Sequence, residues 1–347
     1  MKFSTRFQTL YEGKLNLDTD NWSDKLLIRR ARFKFEGFVY DPKLEYKIEL
    51  GLSNRDIGGT GPEFSNGSNV ILDAVVKWKF QKNWALWFGQ TKLPGNRERV
   101  ISSQKLQFVD RSLVNSRFNI DRDLGIQLHH KGKLGEGILK QALAISIGEG
   151  RNVTANNPGG YNYTGRIEYL PFGDFSNKGD YFGSDLEKEE DPKLSFGVTY
   201  AFNDNAARQR GQLGGFVADA MGDQVTNDLK TLILDAMFKH RGWSVATEYA
   251  KRTGDDVAGE SKFGLGHGFV VQTGYLFDNN FEVAIRYTSI DPDQLDFTSI
   301  KEENEYTLGF SKYIVGHSLK VQSDLSYTDI PLASDAFRYR FQVELSF

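Results

Sequence analysis

The feature that most constrains this chain is strict alternation of polar and apolar residues. The stretch Phe337–Phe347 reads FRYRFQVELSF, with an apolar or aromatic residue at every odd position and a charged or polar residue at every even one, Ser346 included. Successive side chains of a β-strand point to opposite faces, so this period of two predicts a strand with one apolar and one polar face.

The same alternation recurs along the whole chain. We find about sixteen such segments, each close to the ~9–11 residues that a tilted strand needs to cross a bilayer. Convincing helical periodicity is found nowhere, and no run of about eighteen apolar residues offers a transmembrane helix. The chain is therefore predicted to be all-β, with residues 1–347 forming one barrel domain. Examples of the alternating segments are 44–52, 70–80, 161–169, 243–249, 281–287 and 319–327.

The connections between these segments alternate in length. Short and long connections must alternate if all turns lie at one end of a barrel and all loops at the other, as in transmembrane antiparallel β-barrels. The acidic connection 171–192 departs from this rule, because it is long and yet falls at the turn end. The predicted long connections are 13–25, 53–68, 91–122, 203–228, 253–266 and 290–304, and the predicted turns are 41–43, 81–83, 241–242, 278–280 and 315–316.

Aromatic residues gather near the predicted turns, as in the girdles that flank the apolar band of outer-membrane barrels. Trp78, Trp84 and Trp243 lie beside turns, and Phe347 ends at the same level. The alternative is a soluble barrel or sandwich, in which aromatics would fill one core rather than concentrate at strand ends. We therefore expect the odd residues of 337–347 to face the lipid bilayer and Arg338, Arg340, Gln342 and Glu344 to face a watery lumen.

Composition excludes several other classes. The formal net charge of −3 argues against a general nucleic-acid binder, which carries a strongly basic surface. The chain has no cysteine, so neither a disulfide framework nor a thiolate metal site is expected. Residue 2 already lies in an alternating segment, so no signal peptide is visible, and we expect that a leader has been removed.

Several motifs make the chain similar to a known family. The stretches LLIRRARF (26–33), GQTKLP (89–94), FVDRSL (108–113) and RDLGI (122–126) resemble the phosphate-selective porin family of the O and P type. The resemblance implies a sixteen-stranded, homotrimeric pore in a Gram-negative outer membrane. It also implies that the third long loop folds inward to narrow the channel, that basic side chains attract anions, and that the terminal Phe347 is presented to the barrel-assembly machinery.

The candidate anion-binding residues lie on one strand and in the third long loop. The lumen-facing positions of the predicted strands hold equal numbers of basic and acidic residues, whereas 91–123 carries an excess of basic ones. Basic side chains at a constriction select anions, and we predict modest selectivity for anions such as phosphate. Alternatively, the loop arginines anchor the loop to carboxylates of the wall. The candidate residues are Arg30, Arg32, Arg97, Arg99, Arg111 and Arg117.

Other sites have less support, and no cofactor or metal is predicted. His129 and His130 are neighbours on a strand and point to opposite faces, so they cannot chelate one ion together. The stretch 291–296 lacks the spacing of an EF-hand, and no helix follows the glycine-rich stretches 58–61 and 264–268. A hydrolase is a weak alternative, and a plugged barrel or a subunit of a larger assembly is the more serious one.

Overall fold

The chain forms a closed barrel of sixteen antiparallel strands, which confirms the predicted fold class. Each strand pairs with its neighbours in sequence, and β1 pairs with β16 to close the barrel. The computed structural model describes residues 1–57, 69–153, 159–219, 221–255, 263–293, 299–331 and 333–347. The strands are β1 (Lys2–Asn16), β2 (Asn21–Val39), β3 (Asp41–Gly51), β4 (Ile71–Gln81), β5 (Trp84–Lys92), β6 (Arg122–Leu134), β7 (Gly137–Ser146), β8 (Asn162–Leu170), β9 (Lys193–Ala206), β10 (Asn227–His240), β11 (Trp243–Thr253), β12 (Gly266–Leu276), β13 (Phe281–Pro292), β14 (Glu303–Val315), β15 (Leu319–Asp329) and β16 (Ala336–Ser346).

Helical structure in the described residues is confined to short pieces of the connections. They are α1 (Asn54–Ile57), α2 (Arg97–Val100), α3 (Leu113–Phe118) and 3-10 turns within Ser176–Tyr181. None of these described helices is long or apolar enough to span a membrane.

The connections between β2 and β3, β4 and β5, and the later even–odd pairs define one end of the barrel, which we call the turn side; the opposite end is the loop side. The predicted connection 171–192 indeed joins β8 to β9 on the turn side. The turn predicted at 41–43 lies instead at Tyr40, which adopts a positive φ of 63° between β2 and β3. The glycine-rich stretch 58–61 lies outside the described residues.

The long connection predicted over 13–25 is wrong. β1 continues to Asn16 and β2 begins at Asn21, so only a tight turn joins them. The Asn16 side chain accepts hydrogen bonds from the N–H groups of Asp18 and Thr19, at 3.1 Å each, which closes the turn locally. The ends of β1 and β2 extend beyond the apolar band and consist mainly of polar residues. Their composition is therefore similar to that of a loop.

The two faces of the wall follow the alternation read from the sequence. Phe337, Tyr339 and Phe341 are about 40% exposed on the outer face, whereas Arg340 and Glu344 are buried inside the barrel. Aromatic rings also cluster at the turn side, where Trp243 contacts Tyr275 and Tyr275 contacts Phe277, with ring centroids 5.0 Å apart in both pairs. The outer surface is thus apolar and ringed by aromatics, as a membrane-spanning barrel requires.

The lumen contains a small apolar core of its own. The connection between β5 and β6, residues 93–121, folds into the barrel and carries α2 and α3; we call it the inner loop. Its Val114 and Phe118 are 1% exposed and pack with Ile233 and Ile290 of the wall. The ring of Phe118 fits because Gly268 has no side chain, since a Cβ there would lie 3.0 Å from Phe118 Cε2. The inner loop is therefore held against one side of the barrel.

Candidate functional site: a basic chamber in the lumen

The inner loop is bonded to carboxylates of strands β10, β11 and β13–β15. Arg97 Nε donates to Asp235 Oδ1 at 2.7 Å, and Glu248 accepts hydrogen bonds from Asn96 Nδ2 at 2.9 Å and from the Glu98 N–H at 2.7 Å. Further carboxylates on the same side are used in the same way. They are Glu282, which accepts from Gln107; Glu303, which pairs with Arg117; and Asp324, which accepts from the Val109 N–H. Of these carboxylates, Asp235 and Glu303 are paired with arginines of the loop, whereas the others accept from neutral amides. The loop also covers basic wall residues, since Arg252, Arg286 and Lys320 donate to its carbonyls.

On β2 the loop is held by one carboxylate and two arginines. Asp110 pairs with Arg29 and, at 3.1 Å, with Arg30. Burial alone would raise the pKa of Asp110, but the guanidinium groups of Arg30 and Arg29 outweigh it and hold the pKa well below its usual range. Both arginines face inward because a β-bulge interrupts the pairing of β2 with β1 between Gln8 and Thr9.

The opposite half of the lumen remains open as a cavity of about 1000 Å³, which we call the chamber. It lies between the inner loop and strands β3–β8 and extends to the turn side. Cationic side chains outnumber carboxylates along its surface. The basic lining residues are Arg32, Lys47, Lys77, Lys79, Lys82, Lys92, Arg99, Lys105, Arg111, Arg122, Lys131, Lys140, Arg166 and Lys178, and the acidic ones are Glu49, Asp73, Glu168, Asp174 and Asp180.

One group of lining cations is compensated by ion pairs. Arg32 pairs with Glu49 at 3.0 Å and with Asp56 at 3.3 Å. Arg122 Nε and Asp73 Oδ1 are 2.9 Å apart. Arg99 is joined to Asp121 through Nε at 2.6 Å. Other lining cations are also paired with carboxylates, namely Lys47, Lys79, Lys131, Lys140 and Arg166. These pairs orient the guanidinium groups but neutralise much of their charge.

Two other lining cations have no carboxylate partner among the described residues. Lys92 Nζ donates to the carbonyls of Arg99, Val100 and Ile101 at 2.6–3.2 Å. Arg111 donates from Nε to Glu98 O and from Nη2 to Ile101 O, at 2.7 Å each.

Burial lowers the pKa of Arg111 well below its usual value, and the nearby guanidinium groups of Arg99 and Arg30 lower it further. The charges of Glu98 and Asp110 act in the opposite direction, although the guanidinium group donates its side-chain hydrogen bonds to backbone carbonyls.

Nearer the turn side the chamber is lined by lysines and aromatic rings. Lys77 Nζ lies 3.9 Å from the centroid of the Trp87 ring, whose other neighbour is the stacked His129 ring at 4.0 Å. His130 instead contacts Trp84, with ring centroids 4.3 Å apart. Lys105 Nζ lies 3.6 Å from the centroid of Phe182. Cation–π contacts hold lysines in place without neutralising them.

The six candidate residues divide into two groups in the structure. Arg32, Arg99 and Arg111 line the chamber. Arg30 is 5% exposed and donates to Gln8 and Asp110, Arg97 is 2% exposed against Asp235, and Arg117 pairs with Glu303. The last three brace the inner loop, which is the alternative role considered from the sequence.

Other residues of the site were not singled out from the sequence. Arg29 breaks the alternation of β2 by following Ile28 with two consecutive arginines, and this irregularity was the available signal. Lys77 and Lys105 do not belong to a recognisable motif. Their contribution to the charge of the chamber depends on which part of the wall the inner loop leaves uncovered. The structure describes only part of the stretch 291–296. Within it, Asp291 Oδ2 lies 3.4 Å from His267 Nε2.

Comparison with known sequences supports a single family. A sequence model of the family described as "Phosphate-selective porin O and P" matches residues 2–330. An uncharacterized protein of Aquifex aeolicus (strain VF5) is 26% identical, and the alignment covers 96% of this chain and 83% of that protein.

Solved structures with the same fold include porins and other outer-membrane proteins. The anion-selective porin from Comamonas acidovorans aligns with a TM-score of 0.63 at 11% identity, covering 100% of this chain and 99% of that chain. The trimer form of OmpT from Vibrio cholerae gives a TM-score of 0.59 at 9% identity, covering 100% and 98%. The channel DcaP of Acinetobacter baumannii gives 0.57 at 15% identity, covering 100% and 96%. At these identities the similarity concerns the fold.

Proposed function

Because the chain belongs to the phosphate-selective porin O and P family, whose members are passive outer-membrane channels rather than enzymes, we propose that it conducts small anions such as phosphate through the chamber. The observation that carries this proposal is the uneven division of charge inside the barrel. The inner loop takes up carboxylates such as Asp235 and Glu248, while the uncovered wall and the loop edge present mainly lysine and arginine.

The selectivity follows from electrostatics in a narrow space. A narrow pore with low-dielectric walls strengthens the field of the side chains that line it. An anion that loses part of its water can accept charge-assisted hydrogen bonds from the Arg111 guanidinium group, each worth roughly 1.5–3 kcal/mol. Lys92 contributes its charge, because its three N–H groups are bonded to carbonyls. Because the cations are distributed over the whole chamber, the ion meets several weak sites in series and is not trapped. The expected selectivity is therefore modest.

The test is the reversal potential of the purified protein in a planar bilayer across a KCl gradient, repeated with phosphate as the anion. We expect the native channel to favour anions. Lys105→Glu combined with Lys178→Glu, both in the chamber lining, should shift the reversal potential towards cation selectivity. The matched control is Lys230→Glu with Lys251→Glu, which makes the same charge change at exposed positions outside the chamber and should leave the potential unchanged.

Three results would contradict the proposal. A native channel that favours cations would overturn the anion assignment, and equal shifts in the chamber and control variants would show that the chamber does not select. Absence of conductance from correctly folded protein would favour the plugged, non-channel barrel instead.

The channel is further proposed to be a homotrimer. One structure of the same fold is described as a trimer form, and the apolar outer face of the terminal strands offers a surface for self-association. Native mass spectrometry in mild detergent should give the mass of three chains. A spectrum with monomers alone would contradict this proposal.

The C-terminal strand is proposed to be recognised by the barrel-assembly machinery. Phe347 is 74% exposed, and its backbone forms hydrogen bonds with Thr5 across the β1–β16 seam, with the Phe347 N–H donating at 3.0 Å and the Thr5 N–H at 2.8 Å. Phe347→Ala should lower the amount of barrel in the outer membrane while refolding in detergent is retained. Unchanged membrane levels would argue against recognition of this residue.

A further inference from the structure

The connection between β8 and β9, residues 171–192, does more than reverse the chain; we call it the turn-side segment. Neighbouring connections at this end need only a tight turn, such as 135–136 and 241–242. The turn-side segment instead places Gly179, Asp180 and Ser184 in buried positions inside the barrel. Its length therefore serves contacts within the lumen.

A buried lysine and a carboxylate attach this segment to the wall. Lys239, which is 1% exposed, donates from Nζ to Gly179 O at 2.9 Å and to Ser184 O at 2.6 Å. Asp185 Oδ2 accepts the Gly242 N–H at 2.8 Å. Because a buried ammonium group needs its hydrogen-bond partners, displacing the segment would leave Lys239 unsatisfied. The attachment is thus specific to one docked position.

The segment also contacts the inner loop directly. The Gly183 N–H donates to Lys105 O at 2.8 Å, and Arg97 Nη1 donates to Asp180 O at 3.1 Å. The Phe182 ring lies under the Lys105 ammonium group. The closeness of the two backbones depends on Gly183, since a Cβ there would lie 2.6 Å from the backbone nitrogen of Gln107. The segment supports the inner loop from the turn side.

One edge of the segment lines the chamber. Asn177, Lys178, Asp180 and Tyr181 all face it. Lys140 of the neighbouring strand β7 pairs with Asp180. An ion that has passed the inner loop therefore leaves between this edge and strands β4–β8.

We propose that the turn-side segment is a second constriction element of the channel, which holds the inner loop in its conducting position and bounds the exit on the turn side. This inference rests on the proposed channel function. The two elements act as one unit, because their shared contact runs through the Gly183–Lys105 hydrogen bond and the Arg97–Asp180 hydrogen bond. Conductance and the asymmetry of the current–voltage curve then depend on the segment as well as on the inner loop.

The test uses a wedge and a deletion in the full chain, with single-channel recording. Gly183→Val should displace the segment from the inner loop without changing any charge. The conductance should then change and fluctuate, and the anion-to-cation permeability ratio should fall. Replacing 173–190 by a two-residue turn should increase the conductance and reduce the asymmetry of the current–voltage curve. The control is Gly215→Val, the same substitution at a position with no neighbouring atom within 4 Å.

The outcomes separate this inference from the proposed function. If the native protein conducts selectively and both variants insert but keep its conductance, permeability ratio and asymmetry, the segment is not a constriction element. If the native protein does not conduct, both proposals fail. If neither variant inserts while Gly215→Val does, the segment belongs to barrel folding, and the proposal is overturned.

Discussion

At the scale of single residues, the same side-chain type serves two purposes inside this barrel. Arg97 and Arg30 are buried in ion pairs with Asp235 and Asp110, and they hold the inner loop. Arg111 donates only to backbone carbonyls and keeps its charge beside the chamber. Breaking a buried pair leaves an uncompensated charge, which costs about 3–5 kcal/mol. The bracing arginines therefore determine loop position, and the carbonyl-bound cations determine the field.

Substituting Arg111 tests this division. Arg111→Gln should lower the anion-to-cation permeability ratio with little change in barrel stability, because the amide can still donate to a carbonyl but carries no charge. The measurement is the reversal potential in a KCl gradient. Lys312→Gln is the matched control, since it removes one charge from an exposed residue outside the chamber. An equal loss of selectivity in both variants would show that the effect is one of net charge alone.

Asp110 gives a prediction about pH. Because Arg30 and Arg29 depress its pKa in the folded protein, its stabilising contribution is complete above the unfolded pKa of about 4 and is lost as the pH falls through the lower, folded value. Current noise from loop motion should therefore stay constant from pH 7 down to about 4 and rise only below that. Asp110→Asn should be noisy at every pH.

The control for this prediction is Asp278→Asn. Like Asp110, Asp278 is paired with a basic residue, in this case Lys188. It is exposed on the turn side, however, and does not contact the inner loop. A rise in the noise of the native channel already between pH 6 and 5 would contradict the assignment to Asp110.

At the scale of elements, the wall and the inner loop are stabilised in different ways. The strands are held by a closed ladder of backbone hydrogen bonds that leaves no edge. The inner loop has only short helices, and its stability comes from the Phe118 cluster and from the ion pairs to the wall. We therefore expect the loop to be displaced without opening of the barrel.

Phe118→Ala tests whether the docking of the inner loop can be weakened without lowering the stability of the barrel wall. Removing a fully buried phenylalanine costs about 3–5 kcal/mol, and here that loss falls on the docking of the inner loop. The channel should become noisy, while the temperature at which the barrel unfolds in detergent, followed by gel mobility, should barely change. Phe341→Ala, on the exposed outer face, is the control. A large drop in the unfolding temperature of Phe118→Ala alone would mean that barrel and loop unfold together.

At the scale of the whole molecule, the lumen is divided lengthwise. The inner loop and the turn-side segment lie against strands β9–β16, with the inner loop also bonded to β1 and β2, and the chamber follows the side formed by β3–β8. A lumen with balanced total charge can thus present a positive path, since the carboxylates under the loop are shielded from the ion.

A field that arises from many distributed cations should be screened by salt. The Debye length is about 10 Å at 0.1 M and about 3 Å at 1 M ionic strength. We expect the anion-to-cation permeability ratio, measured with a constant gradient, to be clearly larger near 0.1 M than near 1 M KCl. A ratio that does not change with salt, together with saturation of the current at low phosphate concentration, would indicate one tight site instead.

The sequence by itself determined the features that depend on local periodicity. Alternation assigned Phe337, Tyr339 and Phe341 to the outer face and Arg340 and Glu344 to the lumen, and the lengths of the connections indicated a barrel. The inward third loop was implied only by the resemblance to the porin family. The prediction from the sequence was wrong at 13–25, because the polar ends of two strands were interpreted as a loop.

Only the tertiary structure decided which charges meet a solute. Arg97 and Arg99 lie two residues apart, and the local sequence does not distinguish their roles. In the structure, Arg97 is buried against Asp235, whereas Arg99 lines the chamber. Likewise, nothing local in 171–192 indicates that Gly183 lies against the inner loop. Charge compensation depends on distances of a few ångströms between segments far apart in the chain, and those distances are set by how the loop packs inside the closed barrel.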